Sequence, residues 1–461
     1  MTGAPAASPP LRSPAGSRTG RLSRRALVGG GLALGTGLLA GGLSGCSTLA
    51  AGMAGAEVAP GTVTYWNLFG GGDGARMQAM EDVYRAGPGT PALQAATFTW
   101  GNPYYTKVSL ATLGDAPPDV AVSHLTRSTN LAQAGLLTEI TDDVLAVAGL
   151  RAADFSQKAW EAQQVEGRSY AIPFDTHPFV LYYNLEVCER AGLLDSDGSL
   201  QPIRGVDGWE SALRAAREVT GAFGASVATI ADPATSWRWF QSLYSQRAGS
   251  TPWLGDGGRE LTYDRELTLD TLDHVQSWTQ QGLMPTNTDY AGSQTLMFSG
   301  QSAFYLQGEW EITTAQSIEG LEFGMVPLPV LYDQPAQQGD SHTFVLPAME
   351  RNDEQLQRAM GFVRSMLDQS ITWAEGGHVP AYLPTLRSEE YRELEPQSSY
   401  AEAADTVVYD APAWYSGSGS TFENIIGAQI GLVQQGLASP ATALESARSQ
   451  LLTYANTPSP L

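Results

Sequence analysis

The stretch YAIPFDTHPFVLYYN, residues 170–184, decides how the chain is read. Apolar and aromatic residues stand at both of its ends, as in a buried strand, but Asp175, Thr176, His177 and Pro178 interrupt its middle. A buried carboxylate or imidazole is costly unless it is paired. The interruption therefore needs a structural reason, and the sequence on either side supplies the context.

Upstream, GTVTYWNLF reads as a strand with Val63 and Tyr65 on one face, punctuated by GGGDG. A helix is expected from Ala75, with Met77, Met80 and Tyr84 on one face, Asp73 as its cap and Gly87 as its stop. The unit recurs: AATFTW is a strand, NPYYTKVSLATLG a helix, and DVAVSH a strand after Pro117-Pro118. Downstream the alternation restarts with WESALRAAREVT, SVATI and SWRWFQSLYSQRAG. DRELTLDTLDHVQSWTQQG reads as a helix, SAFYLQGEWEI as a strand entering a turn, and LEFGMVPLPV and SHTFVLP as short strands. Strands alternating with helices on both sides of 170–184 indicate an α/β protein, and 461 residues exceed one ordinary core. No fixed-period repeat is present.

The N-terminus is of another kind. RLSRRALVGGGLALGTGLLAGGLSGC, residues 21–46, is a basic region followed by a Gly/Ala/Leu run, the layout of a signal peptide spanning 1–45. Ser23-Arg24-Arg25 resembles a twin-arginine export signal, and Leu43-Ser44-Gly45-Cys46 resembles a bacterial lipobox, which makes Cys46 the expected lipidation site. Residues 46–59 would then be a small-residue tether. Its glycines make the 26–43 run a poor membrane-spanning helix.

Removing 1–45 leaves 21 basic residues against 48 acidic ones, a net charge of −27. A surface that acidic repels phosphate backbones and anionic headgroups, so nucleic acid is not an expected partner and membrane contact is expected through the lipid alone. Besides Cys46 the chain carries only Cys188, so no disulfide framework is available.

The motifs of common chemistries are missing. GGGDG lacks the Lys-Ser/Thr of a phosphate loop and the GxGxxG spacing, although its helix-entry amides and Asp73 can meet a ligand. His124, His177, His274, His342 and His378 show no metal-ligand spacing, so neither metal nor cofactor is expected. No GxSxG elbow appears. What stands out is tryptophan beside turns and acids: Trp66, Trp237, Trp239, Trp310 and Trp414, with Trp100, Trp160, Trp209 and Trp278 read as structural. Indoles can stack on the C–H face of a pyranose while carboxylates and guanidinium groups satisfy its hydroxyls.

Taken in order, TYWNLFGGGDG, YYTKVSLATLGDAPPDVAVSHLTR with AQAGLLTEI, GRSYAIPFDTHPFVLYYN, SAFYLQGEWE, SHTFVLP and GGHVPAYLP make the chain similar to the extracellular solute-binding lipoproteins of carbohydrate ABC importers, the group that includes maltose-binding proteins. The resemblance implies a two-lobed α/β fold of the periplasmic-binding-protein type (class II), with ligand in the cleft between lobes. It implies an N-terminal lobe of 60–176 plus 312–365 and a C-terminal lobe of 177–311 plus 366–461. It makes 170–184 the first crossing, leaving one lobe near Phe174 and entering the other by Leu181, and SAFYLQGEW the second.

Position by position, the resemblance places Asp73 in a sugar-reaching turn, Arg127 at a ligand arginine, and His177 where relatives are often acidic. It puts Glu309 and Trp310 in the stacking motif, Trp237 near the second-lobe aromatic, and Trp414 in a C-terminal aromatic loop. Asp175 and Asp232 are candidate hydroxyl acceptors, and His378, in GGHVPAYLP, joins the candidate ligand-binding set. Ser123 and Thr126 stand where maltodextrin binders carry a Trp and an acid, which argues against a long maltodextrin, with His124 a partial substitute. The expected partners are a carbohydrate and the permease subunits of an ABC transporter, and a monomer is expected. A secreted glycoside hydrolase using Asp175 and Glu309, or a binder of another solute on the same fold, are the alternatives.

Overall fold

The structure is a computed structural model that describes residues 58–460. The signal segment 1–45, Cys46 and the tether up to residue 57 lie outside the described residues. Among the described residues no helix is long and apolar enough to cross a membrane.

The chain opens with β1 (Val63–Asn67), α1 (Gly71–Ala86), β2 (Leu93–Thr97), α2 (Asn102–Leu113), β3 (Val120–His124) and α3 (Leu125–Gln133). After β4 (Ile172–Pro173) comes β5 (Asp175–Asn184), then α4 (Gly205–Thr220), β6 (Ala225–Ser226), α5 (Pro233–Ser245) and α6 (Arg265–Gln280). The last part holds β7 (Phe304–Gly308), β8 (Phe323–Pro327), β9 (Gln337–Asp340), β10 (His342–Val345), α7 (Asp353–Asp368), α8 (Ser370–Ala374), β11 (Val379–Pro380), β12 (Val407–Val408), α9 (Thr421–Gln434) and α10 (Pro440–Ala455).

Two main sheets result. The first has the order β2-β1-β3-β10-β4, with β1 parallel to β2 and β3, and β10 antiparallel to β3 and β4. Parallel neighbours need crossover connections, which α1 and α2 provide. Beneath this sheet Tyr65, Met80, Val122, Phe344, Phe362 and Trp373 share one core. The second sheet has the order β12-β9-β5-β7-β6, and β8 and β11 also pair with β5.

Strand β5 is the spine of the second sheet, and all ten of its residues are buried. Phe179 to Tyr183 pair with Gly308 to Phe304 of β7, while His177 and Pro178 pair with Asp340 and Gly339 of β9. The polar residues 175–178 are therefore not a break between two strands, as the sequence reading expected. They open one continuous strand, and the passage from the first sheet falls at Phe174, between β4 and β5.

The second passage also lies elsewhere than expected. Residues 304–308 pair with β5 along their whole length, and the chain changes sheets at Ser341, between Asp340 of β9 and His342 of β10. The segment 312–365, expected in the first lobe, thus supplies β8 and β9 to the second sheet and β10 to the first. Met366, Leu367 and Trp373, expected with the second lobe, pack under the first sheet.

Helix α1 starts at Gly71 rather than Ala75, and Gly71 has φ +54, a left-handed conformation that glycine adopts without strain. Asp73 falls in the first turn and makes no cap bond, because its carboxylate is turned to His378. Of SVATI, residues 226–230, only Ser226 lies in a strand, the two-residue β6.

Candidate functional site

Three loops of the first sheet and the N-terminal half of α5 enclose a cavity of about 260 Å³. On one side stand Phe69 and Asp73 at the β1–α1 junction, Trp100 before α2, and His124 at the end of β3. On the other stand Asp232, which caps α5, and Arg238 within it, with Tyr290 and Trp310, while His177 and His342 lie where the two sheets meet.

The aromatic wall is braced. Trp310 Nε1–H donates to Tyr290 Oη at 2.9 Å, whose hydroxyl in turn donates to Glu311. The Arg238 guanidinium lies 5.1 Å over the Trp310 ring, and the His177 ring meets that indole edge-on at 6.0 Å. Trp100 is 41 % exposed, so its indole is open to a ligand.

The polar groups are poised rather than saturated. Asp232 caps α5, accepting from Thr235 N at 3.2 Å through Oδ1, while its buried Oδ2 has no hydrogen-bond partner. Asp73 accepts from His378 Nε2 at 3.0 Å through Oδ1 only. His124 shares a 2.8 Å hydrogen bond with Tyr105 Oη, and burial, then His342 and His177, hold its pKa well below the usual imidazole value. His177 is likewise neutral, its pKa lowered to about 3 by burial and His342 against the pull of Asp175.

Under this cavity lies a closed ionic layer. Asp175 is 0 % exposed and accepts from His177 Nδ1 (3.0 Å), His342 Nδ1 (2.7 Å), the His342 backbone N–H (2.8 Å) and Trp373 Nε1 (2.6 Å). Burial alone would raise its pKa, but His342, His378 and His177 hold it well below the carboxylate range. Glu309 is pushed up to about 8 by burial despite His378 beside it. Burial disfavours a charged His378, yet Asp73 and Asp175 raise its pKa well above the ordinary value.

The structure therefore brings Asp73, His124, His177, Asp232 and Trp310 of the expected set to one cavity. Asp175, Glu309 and His378 form the floor beneath it, and Asp175, expected as a hydroxyl acceptor, has its carboxylate filled by four protein donors instead. Arg127 is buried outside the cavity, bonding Asn102 Oδ1 at 2.9 Å and stacking 4.2 Å over Tyr105.

Trp237 faces the core, donating to Asp410 Oδ1 at 2.9 Å and packing on Trp253 and Phe422. The cavity face of α5 is instead Ala234 and Arg238, one turn apart. Trp414 lines a separate groove with Tyr454, its Nε1 bonded to Thr457 O at 3.2 Å.

Residues missed by the sequence reading are Phe69, Trp100, Arg238, Tyr290 and His342. Trp100 had the signal already used for Trp310, an indole beside a glycine turn, and the α5 helical phase pointed to Arg238. Tyr290 and His342 carried none.

The family profile of bacterial extracellular solute-binding proteins matches residues 101–390, and the chain belongs to that family. It is a solute-binding protein, not an enzyme, with the two-sheet periplasmic-binding-protein-like fold. The GacH receptor of Streptomyces glaucescens, solved unliganded and with acarbose, superposes with a TM-score of 0.69 at 20% identity, over 85% of this chain and 98% of that one. The cyclic alpha-maltosyl-1,6-maltose binding protein of Arthrobacter globiformis gives 0.66 at 19%, over 86% and 98%. UgpB of Mycobacterium tuberculosis, in complex with glycerophosphocholine, gives 0.68 at 16%, over 86% and 98%.

Proposed function

We propose that the chain captures a short carbohydrate in the cavity between Trp100 and Trp310 and delivers it to an ABC permease, held at the outer face of the cell membrane by lipid on Cys46. In this reading the two sheets belong to two lobes that close on the sugar, with the crossings at Phe174 and Ser341 as hinge points. The observation that carries the reading is the buried, unpartnered Asp232 Oδ2 in a cavity that also holds two indoles and the Arg238 guanidinium. A sugar ring offers an apolar face to the indoles and a hydroxyl donor to that oxygen, which otherwise costs about 1–3 kcal/mol.

A cavity of about 260 Å³ stands at the small end of ligand sites, which supports a mono- or disaccharide over a long oligomer. Several structural relatives are described as binding maltose-type or other oligosaccharides, in keeping with a sugar. The test is calorimetry of the chain lacking residues 1–46 against a panel of mono- and disaccharides. At least one sugar should bind at one site and return unchanged, and should stabilise the protein by about 2.7 kcal/mol at one hundred times its Kd. Silence across the panel would sink the reading. For the anchor, Cys46→Ser should release the protein from the membrane fraction; retention there would exclude lipid on Cys46.

A further inference from the structure

The floor beneath the cavity assembles donors that sequence spacing hid. Asp175, His177, His342 and His378 each place one ligating atom within 4.8 Å of all the others, and all four are buried. They come from β5, β10 and the residue before β11, so the cluster sits where both sheets and the returning chain meet.

One member of the cluster is poorly satisfied by protein alone. Asp73 accepts from His378 Nε2–H, which turns the ring's other nitrogen, Nδ1, inward. That Nδ1 stands 3.3 Å from Asp175 Oδ2 and 3.1 Å from Glu309 Oε1, yet it has no aligned hydrogen bond. Neither Glu309 oxygen has a hydrogen-bond partner either, and both residues are 0 % exposed. A metal ion there would take the place of a proton on Nδ1 and give these buried, unpaired atoms a partner.

We propose that this layer binds one divalent transition-metal ion of the zinc class, coordinated by the imidazoles of His177, His342 and His378 and the carboxylate of Asp175. Three imidazoles and one carboxylate, with no thiolate, suit Zn²⁺, whose structural sites are four-coordinate. Ligand bonds of about 2.0–2.2 Å require the four atoms to draw together only modestly from their present spacing. The outer contacts that fix metal-binding groups are in place: Trp373 Nε1 and the His342 N–H orient Asp175, and Asp73 orients His378. Such an ion would link β5 of the second sheet to β10 of the first and so stiffen the junction on which closure turns. The inference stands independently of which solute occupies the cavity.

The test uses the chain lacking residues 1–46, carrying no polyhistidine tag, freed of metal with chelator and dialysed. Titration with ZnCl₂ should show saturable binding of one ion per chain and a rise in Tm. Co²⁺ in its place should give the strong visible absorption of a tetrahedral site. His342→Ala and His378→Ala should each weaken Zn²⁺ at least tenfold, with far-ultraviolet circular dichroism reporting whether they fold. The proposal is overturned if the wild-type chain binds no Zn²⁺ stoichiometrically, or if one-to-one binding survives in both folded variants. It is equally overturned if bound Co²⁺ shows only weak octahedral absorption, a readout that needs no variant.

Discussion

The indole of Trp310 lies directly over Gly308: a Cβ at residue 308 would stand 2.0 Å from the ring. Gly308 ends β7, and its carbonyl accepts from Tyr182 Oη at 3.0 Å, so the strand end cannot retreat to make room. Gly308→Ala should therefore push the indole from its place without touching the ligand itself. Sugar affinity should fall about as far as in Trp310→Ala, roughly 1–3 kcal/mol by analogy with stacking on bases. Calorimetry on the two variants checks this, and an unchanged Kd in Gly308→Ala would show that the indole position is not set by that glycine.

Asp232 has two jobs that substitution can separate. Its Oδ1 caps α5, while its Oδ2 is left for the cavity. Asparagine caps as well as aspartate, so Asp232→Asn should keep the Tm but weaken sugar binding, whereas Asp232→Ala should lose both, with about 1 kcal/mol of stability from the cap. Paired thermal melts and titrations decide it. Equal sugar affinity in all three proteins would remove Asp232 from the site.

For Asp175 the expected phenotype is structural. It is a fully buried anion that receives four hydrogen bonds from His177, His342 and Trp373. Asp175→Ala leaves these donors unpaired and should cost about 3–5 kcal/mol of stability, the usual penalty for breaking a buried ionic arrangement. Urea unfolding measures it; a loss confined to sugar affinity with an unchanged midpoint would restore the acceptor role that its place in the sequence first suggested.

That contrast shows where sequence was readable and where it was not. The α/β alternation and the strand character of 170–184 follow from local period, and the sheets bear them out. Burial of residues 175–178 was not legible, because it depends on His342 and Trp373, more than 160 residues away, closing over Asp175. The same distance hid the second change of sheet at Ser341 and the four-residue cluster around Asp175. Trp237 and Trp310 look alike as residues near turns, but helix phase sends one into the core and strand termination sends the other into the cavity.

The layer under the cavity should also leave a signature in stability against pH. Glu309 in the folded chain titrates at about 8, raised from an ordinary value of 4.5 chiefly by burial. Between those two values the unfolded chain has released its proton while the folded chain keeps it, so the unfolded state binds fewer protons and stability falls as pH rises. Glutamine is neutral at every pH and nearly the same shape, which removes this slope. Measured with chelator present, the Tm of Glu309→Gln relative to wild type should therefore climb steadily from about pH 5 to about pH 8. A difference that stays flat across that window would mean that Glu309 is ionised in the folded protein near pH 5, its charge balanced by His378 against the cost of burial.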